Sequence, residues 1–363
     1  MYMFFKKFWK KSPPDIKNTP KEQQSTQDYL SAMIRDFWQQ VKNSEQSLNE
    51  LDILDIMKNI NNLLDENQLD VIAEITVGDT KKHKIIFTAD GKIERFEYVI
   101  EIFRQAPDLQ FFEVEAFRQR INNVDTFVIT SKESSFSLGA TDLLIQYKES
   151  RRKISIGIMF AKTVPEEMIK QAETMALIYL DHLLGEYDFA VRVEAVEFLK
   201  IDQSATTIPA NQFVTIFDRL WKEDLKHTGI FNIQEDQWIV FELTDLKMLV
   251  HRNEAANSLL GHENYCYALN VIVDIDSKET LSLVYELEDA INLALRADER
   301  GIHCQNSFSE GVRNMLWYVG NKQSVLQLVK QITNRYNTLS VKIECEFDPF
   351  WLQYLRWVEC YQA

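Results

Sequence analysis

The chain has 363 residues, 45% hydrophobic and 26% charged, long enough for sizeable cores and for two domains, and neither disordered nor fibrous. Its 40 basic and 55 acidic residues give a formal charge of -15, a field that repels phosphate backbones and lipid headgroups and favours basic partners, so free nucleic acid is excluded as the expected ligand. Four cysteines, at 266, 304, 345 and 360, have no Cys-x-x-Cys spacing and read as reduced, mostly buried thiols of a cytoplasmic protein.

At the N-terminus, Lys6, Lys7, Lys10 and Lys11 interrupt the apolar run that a secretory signal requires. Two readings of this segment stand. Phe4, Phe5, Phe8 and Trp9 fall at helical spacing between the lysines, as in an amphipathic helix able to touch an anionic membrane; alternatively residues 1–27 are a disordered basic and polar leader. From Asp28 apolar residues recur every fourth position (Tyr29, Met33, Phe37, Val41), and a second such run includes Leu51, Leu54, Ile60 and Leu64, predicting a helix pair. The pattern then becomes strand-like around the Gly78-Asp79-Thr80 turn, with a helix predicted over 96–105 before Pro107. Strands are predicted at 110–117, 124–130, 141–148 and 153–160. A long helix opened by Pro165 and closed by Gly185 follows, and then a strand through "FAVRVEAVEFL". These elements make an N-terminal α+β domain over 28–200.

Residues 201–230 read as a linker and bridging helix, and 231–363 as a second α+β domain. After a hairpin at 237–251, the order from Tyr265 to Phe347 is strand, helix, strand, strand, helix, strand: the split arrangement of ferredoxin-like folds, an antiparallel sheet with both helices on one face. In the last strand Val341, Ile343, Cys345 and Phe347 alternate with charged residues, each large side chain contributing roughly 1.5–3 kcal/mol if buried. Asp348-Pro349 then reads as a helix start, with Trp351, Tyr354, Leu355 and Val358 on one face.

"DQWIVFEL", "YELEDAINLAL", "GVRNMLWYVG" and "CEFDPFWLQYL" resemble the landmarks of a bacterial family catalogued as domain of unknown function 695, over about residues 230–358. That family is similar in fold to the regulator of ribonuclease E activity B, a small protein that binds and restrains a ribonuclease. Residues 28–200 resemble the companion region of longer members. The ending "WVECYQA" departs from the tyrosine-proline close of many members.

The chemistry-bearing motifs are sparse. The sequence has no Gly-rich phosphate loop, no Gly-x-Ser-x-Gly elbow and no calcium-loop pattern, and no cofactor is expected. In "DHLLGEYD", His182 and Glu186 are four apart, the spacing of a metal pair on a continuous helix; Gly185 favours instead a helix end, with His182 near the negative pole of the dipole. For His303 and Cys304, neighbours on a strand, the expected arrangement is a buried thiol and an exposed imidazole. Arg313, on a predicted central strand, needs an acid, which Glu242 or Glu288 would supply. Phe350 and Trp357 lie off the apolar face of the last helix and are the expected docking aromatics.

Two function classes follow. One is a non-catalytic cytoplasmic binding protein, an inhibitor or immunity-type partner of a basic nuclease or toxin, with Arg313, Glu242, Glu288, Phe350 and Trp357 as binding residues. The other is an enzyme with a carboxylate site around Glu242, Asp188 or Glu288. A homodimer scaffold is a third arrangement.

Overall fold

The computed structural model describes residues 20–78, 82–131, 136–150, 152–200, 206–231 and 236–357. The basic-aromatic segment at residues 4–11 and Cys360 lie outside them. The chain is α+β, divided into two compact units whose segments interleave: the first comprises 1–146, 157–190 and 197–214, the second 147–156, 191–196 and 215–363. Among the described residues no helix is long and apolar enough to cross a membrane.

In the first unit, helices α1 (Pro20–Asn49) and α2 (Ile53–Glu66) are the predicted pair. Helix α1 runs from Pro20, the first described residue, and so includes the apolar repeat and the polar stretch before it. Asp52 caps α2, its side chain accepting from Asp55 N. Ile34, Phe37, Trp38 and Val41 of α1 and Ile56, Ile60 and Leu64 of α2 are buried. Phe37 and Trp38 meet the ring of Phe87 edge-on at 5.9 and 5.6 Å. Phe87 belongs to β2 (His83–Thr88), which pairs antiparallel with β1 (Ile72–Val77) and parallel with β3 (Phe112–Ala116). Helix α3 (Phe96–Arg104) follows β2, and Trp38 Nε1 donates to the carbonyl of its Ile102 at 2.9 Å.

The strands β4 (Val128–Thr130) and β5 (Ser137–Gly139) form a hairpin; 124–126, read as strand, is a 3-10 turn. Strands β6 (Leu143–Ser150), β7 (Lys153–Phe160), β8 (Val193–Phe198) and β9 (Ile208–Pro209) make a sheet of order β8-β7-β6-β9. Helix α4 (Ile169–Leu184) ends where predicted, at Gly185 with φ +82, which glycine adopts without steric cost. The strand predicted through "FAVRVEAVEFL" is half helix: α5 (Glu186–Arg192) precedes β8, its acidic first turn set against the dipole and Phe189 N bonded to Gly185 O. Helix α6 (Ala210–Arg219) continues into a π-helical turn at 220–224.

The second unit is built on a six-stranded sheet of order β10-β11-β13-β14-β12-β15. Its strands are β10 (Trp238–Leu243), β11 (Met248–Asn253), β12 (Tyr267–Asp274), β13 (Gly301–Ser309), β14 (Val312–Val319) and β15 (Val341–Phe347). Every pairing in it is antiparallel. Helix α7 (Lys278–Arg296), capped by Ser277, packs on β13, and α8 (Lys322–Thr333), capped by Asn321, on β15. Val284, Leu287, Ile291 and Leu295 of α7 and Val325, Val329 and Ile332 of α8 supply the buried stripes. Val271, Val273, Met315 and Trp317 meet them from the sheet.

The opposite face is covered by the C-terminal segment, where the structure departs from the predicted long helix. Helix α9 is confined to Leu352–Leu355, because Trp351 takes a left-handed backbone at φ +56. Its ring fixes that conformation, stacking on Tyr318 at 4.0 Å while Nε1 donates to Tyr265 O at 2.8 Å. Asp348 still caps the helix from outside, accepting from Leu352 N and Gln353 N at 3.0 Å each and from the Tyr318 hydroxyl at 2.5 Å.

Candidate functional site

Beneath α7 the sheet carries a polar row in an apolar surround. Arg313 on β14 is 7% exposed. Its Nη2 meets Glu288 Oε2 at 2.6 Å, and its guanidinium lies 4.8 Å from the Tyr285 ring centre. Asn306 Nδ2 donates to the other oxygen, Glu288 Oε1, at 2.9 Å. His303 is bonded to Asn306 Oδ1 at 2.9 Å and to Asn292 at 3.2 Å, and Trp317 Nε1 donates to Asn292 Oδ1 at 2.7 Å. Of the two acids named for Arg313, the structure brings up Glu288.

Glu242 is elsewhere on the same face. The register runs Glu242, Leu249, Phe308, Arg313 across four neighbouring strands, three ladder steps or about 14 Å. Glu242 is exposed on the edge strand, with two apolar side chains between it and the arginine.

The expectation of an exposed His303 is overturned. A bulge between His303 and Gln305 inserts Cys304 as the extra residue, and both His303 and Cys304 are buried. The imidazole stacks on Trp317 at 4.3 Å and meets Trp238 edge-on at 4.9 Å. Burial pulls its pKa down to about 4, against the opposing charge of Glu288, so the ring is neutral at physiological pH. Burial pushes the Cys304 thiol well up, removing it as a nucleophile.

The docking aromatics are half-covered. Lys153 Nζ sits 5.0 Å from the Phe350 ring centre, and Arg356 lies 4.6 Å from that of Trp357. Lys153 is itself buried, its pKa brought down to about 8 by desolvation against the charges of Glu194 and Asp348.

In the first unit, His182 and Glu186 are not joined as a metal pair. Gly185 separates the two helices, and Glu186 turns inward: Oε1 accepts from Thr88 Oγ1 and Ala89 N at 2.9 and 3.0 Å, and Oε2 from Arg118 N at 3.2 Å. His182 lies against the Phe127 ring at 5.0 Å. Among the described residues no group of three potential ligands gathers. The charge there centres on Arg118, which meets Glu74, Asp90 and Asp181 at 2.8, 3.4 and 3.1 Å. Burial nevertheless holds the Asp181 carboxyl up at about 6. Asp188 pairs with Arg120 at 2.8 Å.

What sequence reasoning missed is the surface between Glu242 and Arg313. Trp238 (37% exposed), Val240 (58%), Leu249 (39%), Phe308 (39%) and Tyr285 (48%) form an exposed apolar stretch beside the open edge of β10. The signal was present: "WIVFEL" is apolar at both parities of the strand, so one face of it has no core to enter. The opposite edge, β15, carries Lys342, Glu344 and Glu346, charges of the kind that discourage strand addition.

Comparison with protein-family models, curated proteins and solved structures finds no match.

Proposed function

We propose that the protein is a non-catalytic binding module that docks a basic partner protein, of nuclease or toxin type, on the β10–β11–β13 face of its second unit. The observation that carries this reading is the exposed apolar stretch beside the edge strand β10, rimmed by acids. Glu242 and Asp245 flank it on the hairpin, and Asp289, one helical turn from Tyr285, flanks it on α7; all three are exposed. Apolar area supplies affinity, and the rim, within a chain of net charge -15, steers a cationic partner. The resemblance to a ribonuclease regulator supports the same reading. Of the carboxylates of the enzyme alternative, Glu288 holds Arg313 and Asp188, in the other unit, holds Arg120, while Glu242 is exposed at the sheet edge.

The test is affinity purification of the full chain from its own cells at low and high salt, beside a Leu249→Asp/Phe308→Asp variant. A basic protein should be recovered at low salt, with recovery falling at least about tenfold in the variant at unchanged thermal midpoint, since both positions are surface ones. Recovery that ignores both salt and the substitutions, or a second copy of the chain as the sole occupant, sinks the proposal.

A further inference from the structure

The exposed apolar stretch of the second unit is a trough with the dimensions of one short helix. Trp238, Val240 and Glu242 of β10 share a face; Val240 lies opposite His251, Glu242 opposite Leu249, and Leu249 opposite Phe308 of β13. Trp238 meets His303, which is bonded to Asn292 of α7, so this is the face that carries the helices. Helix α7 packs on β13 and α8 on β15, and the outer strands keep apolar side chains in solvent. The floor runs about 14 Å from Trp238 to Glu242 and about 10 Å from β10 to β13, four strand rises by two ladder steps. Eleven residues of helix are about 16 Å long and about 10–12 Å across. An apolar sheet face gains stability when a further element lies on it.

The chain supplies a segment of that length and of complementary character in residues 1–11, MYMFFKKFWKK. Four of the 40 basic residues fall in it, and no acid does. At about 100° per residue, Phe4, Phe8, Phe5 and Trp9 occupy an arc of about 140°, and Lys6, Lys10, Lys7 and Lys11 occupy the opposite arc of about the same width. With the aromatic arc set down on Val240, Leu249 and Phe308, Lys6 and Lys11 bound it on its two sides. The rim acids have the same disposition: Glu242 and Asp245 stand on the outer flank of the trough and Asp289 on the α7 flank, all exposed. Long lysine stems lie along apolar surface while their ammonium groups reach such a rim.

We propose that residues 1–11 dock as a helix in this trough and compete there with the basic partner, an autoinhibitory contact that rests on the docking face proposed above. The segment offers the partner's own combination of apolar area and positive charge, and it is always present. A tethered ligand is held at an effective concentration on the order of 1 mM, so a segment whose free peptide binds with a Kd of about 0.1 mM fills the trough roughly nine-tenths of the time. Salt loosens the contact, because the attraction between lysines and an exposed acidic rim is screened.

The experiment titrates a fluorescent peptide of residues 1–15, labelled at its C-terminal end, into three full-length chains and reads anisotropy. They are the wild type, a Lys6→Glu/Lys7→Glu/Lys10→Glu/Lys11→Glu variant whose own segment is repelled from the rim, and that variant with Leu249→Ser/Phe308→Ser added. The four-lysine variant should bind the peptide about tenfold more tightly than the wild type, whose trough is already filled. The added serines should remove that binding at unchanged thermal midpoint, both positions being surface ones. Peptide bound equally by the wild type and the four-lysine variant, bound undiminished after the serine substitutions, or not bound below about 1 mM overturns the inference. So does sedimentation of the wild type with phosphatidylserine vesicles that the four-lysine variant loses, which assigns the segment to a lipid surface. The titration contains no partner protein: its failure leaves capture of a basic protein untouched, and failed capture beside successful titration removes the competition and leaves the trough as the segment's own seat.

Discussion

Arg313 is a buried cation whose charge is balanced by Glu288, with side chains 9% and 12% exposed. Taking away one member of such a pair leaves the other desolvated and uncompensated, whereas replacing both with apolar groups is close to neutral. Glu288→Ala is therefore expected to cost about 3–5 kcal/mol in denaturant unfolding of the second unit, and Glu288→Leu/Arg313→Met much less. A double-mutant cycle gives the coupling directly. Glu288 was legible in the sequence as a partner because it lies on the helix crossing over β14. Glu242 was an equal candidate on paper, since strand register across a four-strand row is set by pairing partners far apart in the chain. The buried state of His303 was hidden for a related reason: one inserted residue in β13 resets which side chains face the helix, and nothing local marks the bulge.

The elements of the second unit follow their periodicity closely. The stripe on α7 and the alternation of β15 were readable because each side chain's destination is fixed by a short repeat. The C-terminal segment was not readable to the same depth. Asp348 and Pro349 are good helix-start residues, yet the helix waits until Leu352 because stacking Trp351 on Tyr318 and bonding its indole to Tyr265 outweigh the helical propensity of the three residues 349–351. The same holds for α5, where Gly185 and an acidic first turn prevail over the alternating apolar pattern. Asp348→Ala tests the cap as an element. It deletes three accepted hydrogen bonds on a buried carboxylate, and a loss of about 2–3 kcal/mol is expected. Near-ultraviolet circular dichroism should report release of Trp351 and Tyr354, with α7 and α8 retained in the far-ultraviolet spectrum.

At the scale of the whole molecule, the buried titratable groups give opposite slopes with pH. His227 and His303 of the second unit are buried and held down to about 4, from an ordinary value of 6.5. Between those values the unfolded chain binds protons that the folded one does not, so stability is full above about pH 6.5 and is lost as pH falls towards 4. Asp181 of the first unit is raised from 3.8 to about 6, so in that window the folded state binds the extra proton and its contribution diminishes as pH rises. Hydrogen exchange at pH 7 and near pH 4.5, corrected for intrinsic rates, should show protection of β10–β15 falling in acid; Asp181→Asn should reduce the opposing slope in the first unit, to which the raised Glu186 carboxyl also contributes. The interleaving of the two units carries a consequence for how the protein is made. Residues 147–156 and 191–196 leave the ribosome long before residue 215, yet they complete the second unit: Arg152 pairs with Glu254 at 2.7 Å, and its carbonyl holds His227 at 2.8 Å. Early-synthesised segments must wait for the last two-fifths of the chain. A fragment begun at Thr215 would therefore be born without strands that no later translation can supply.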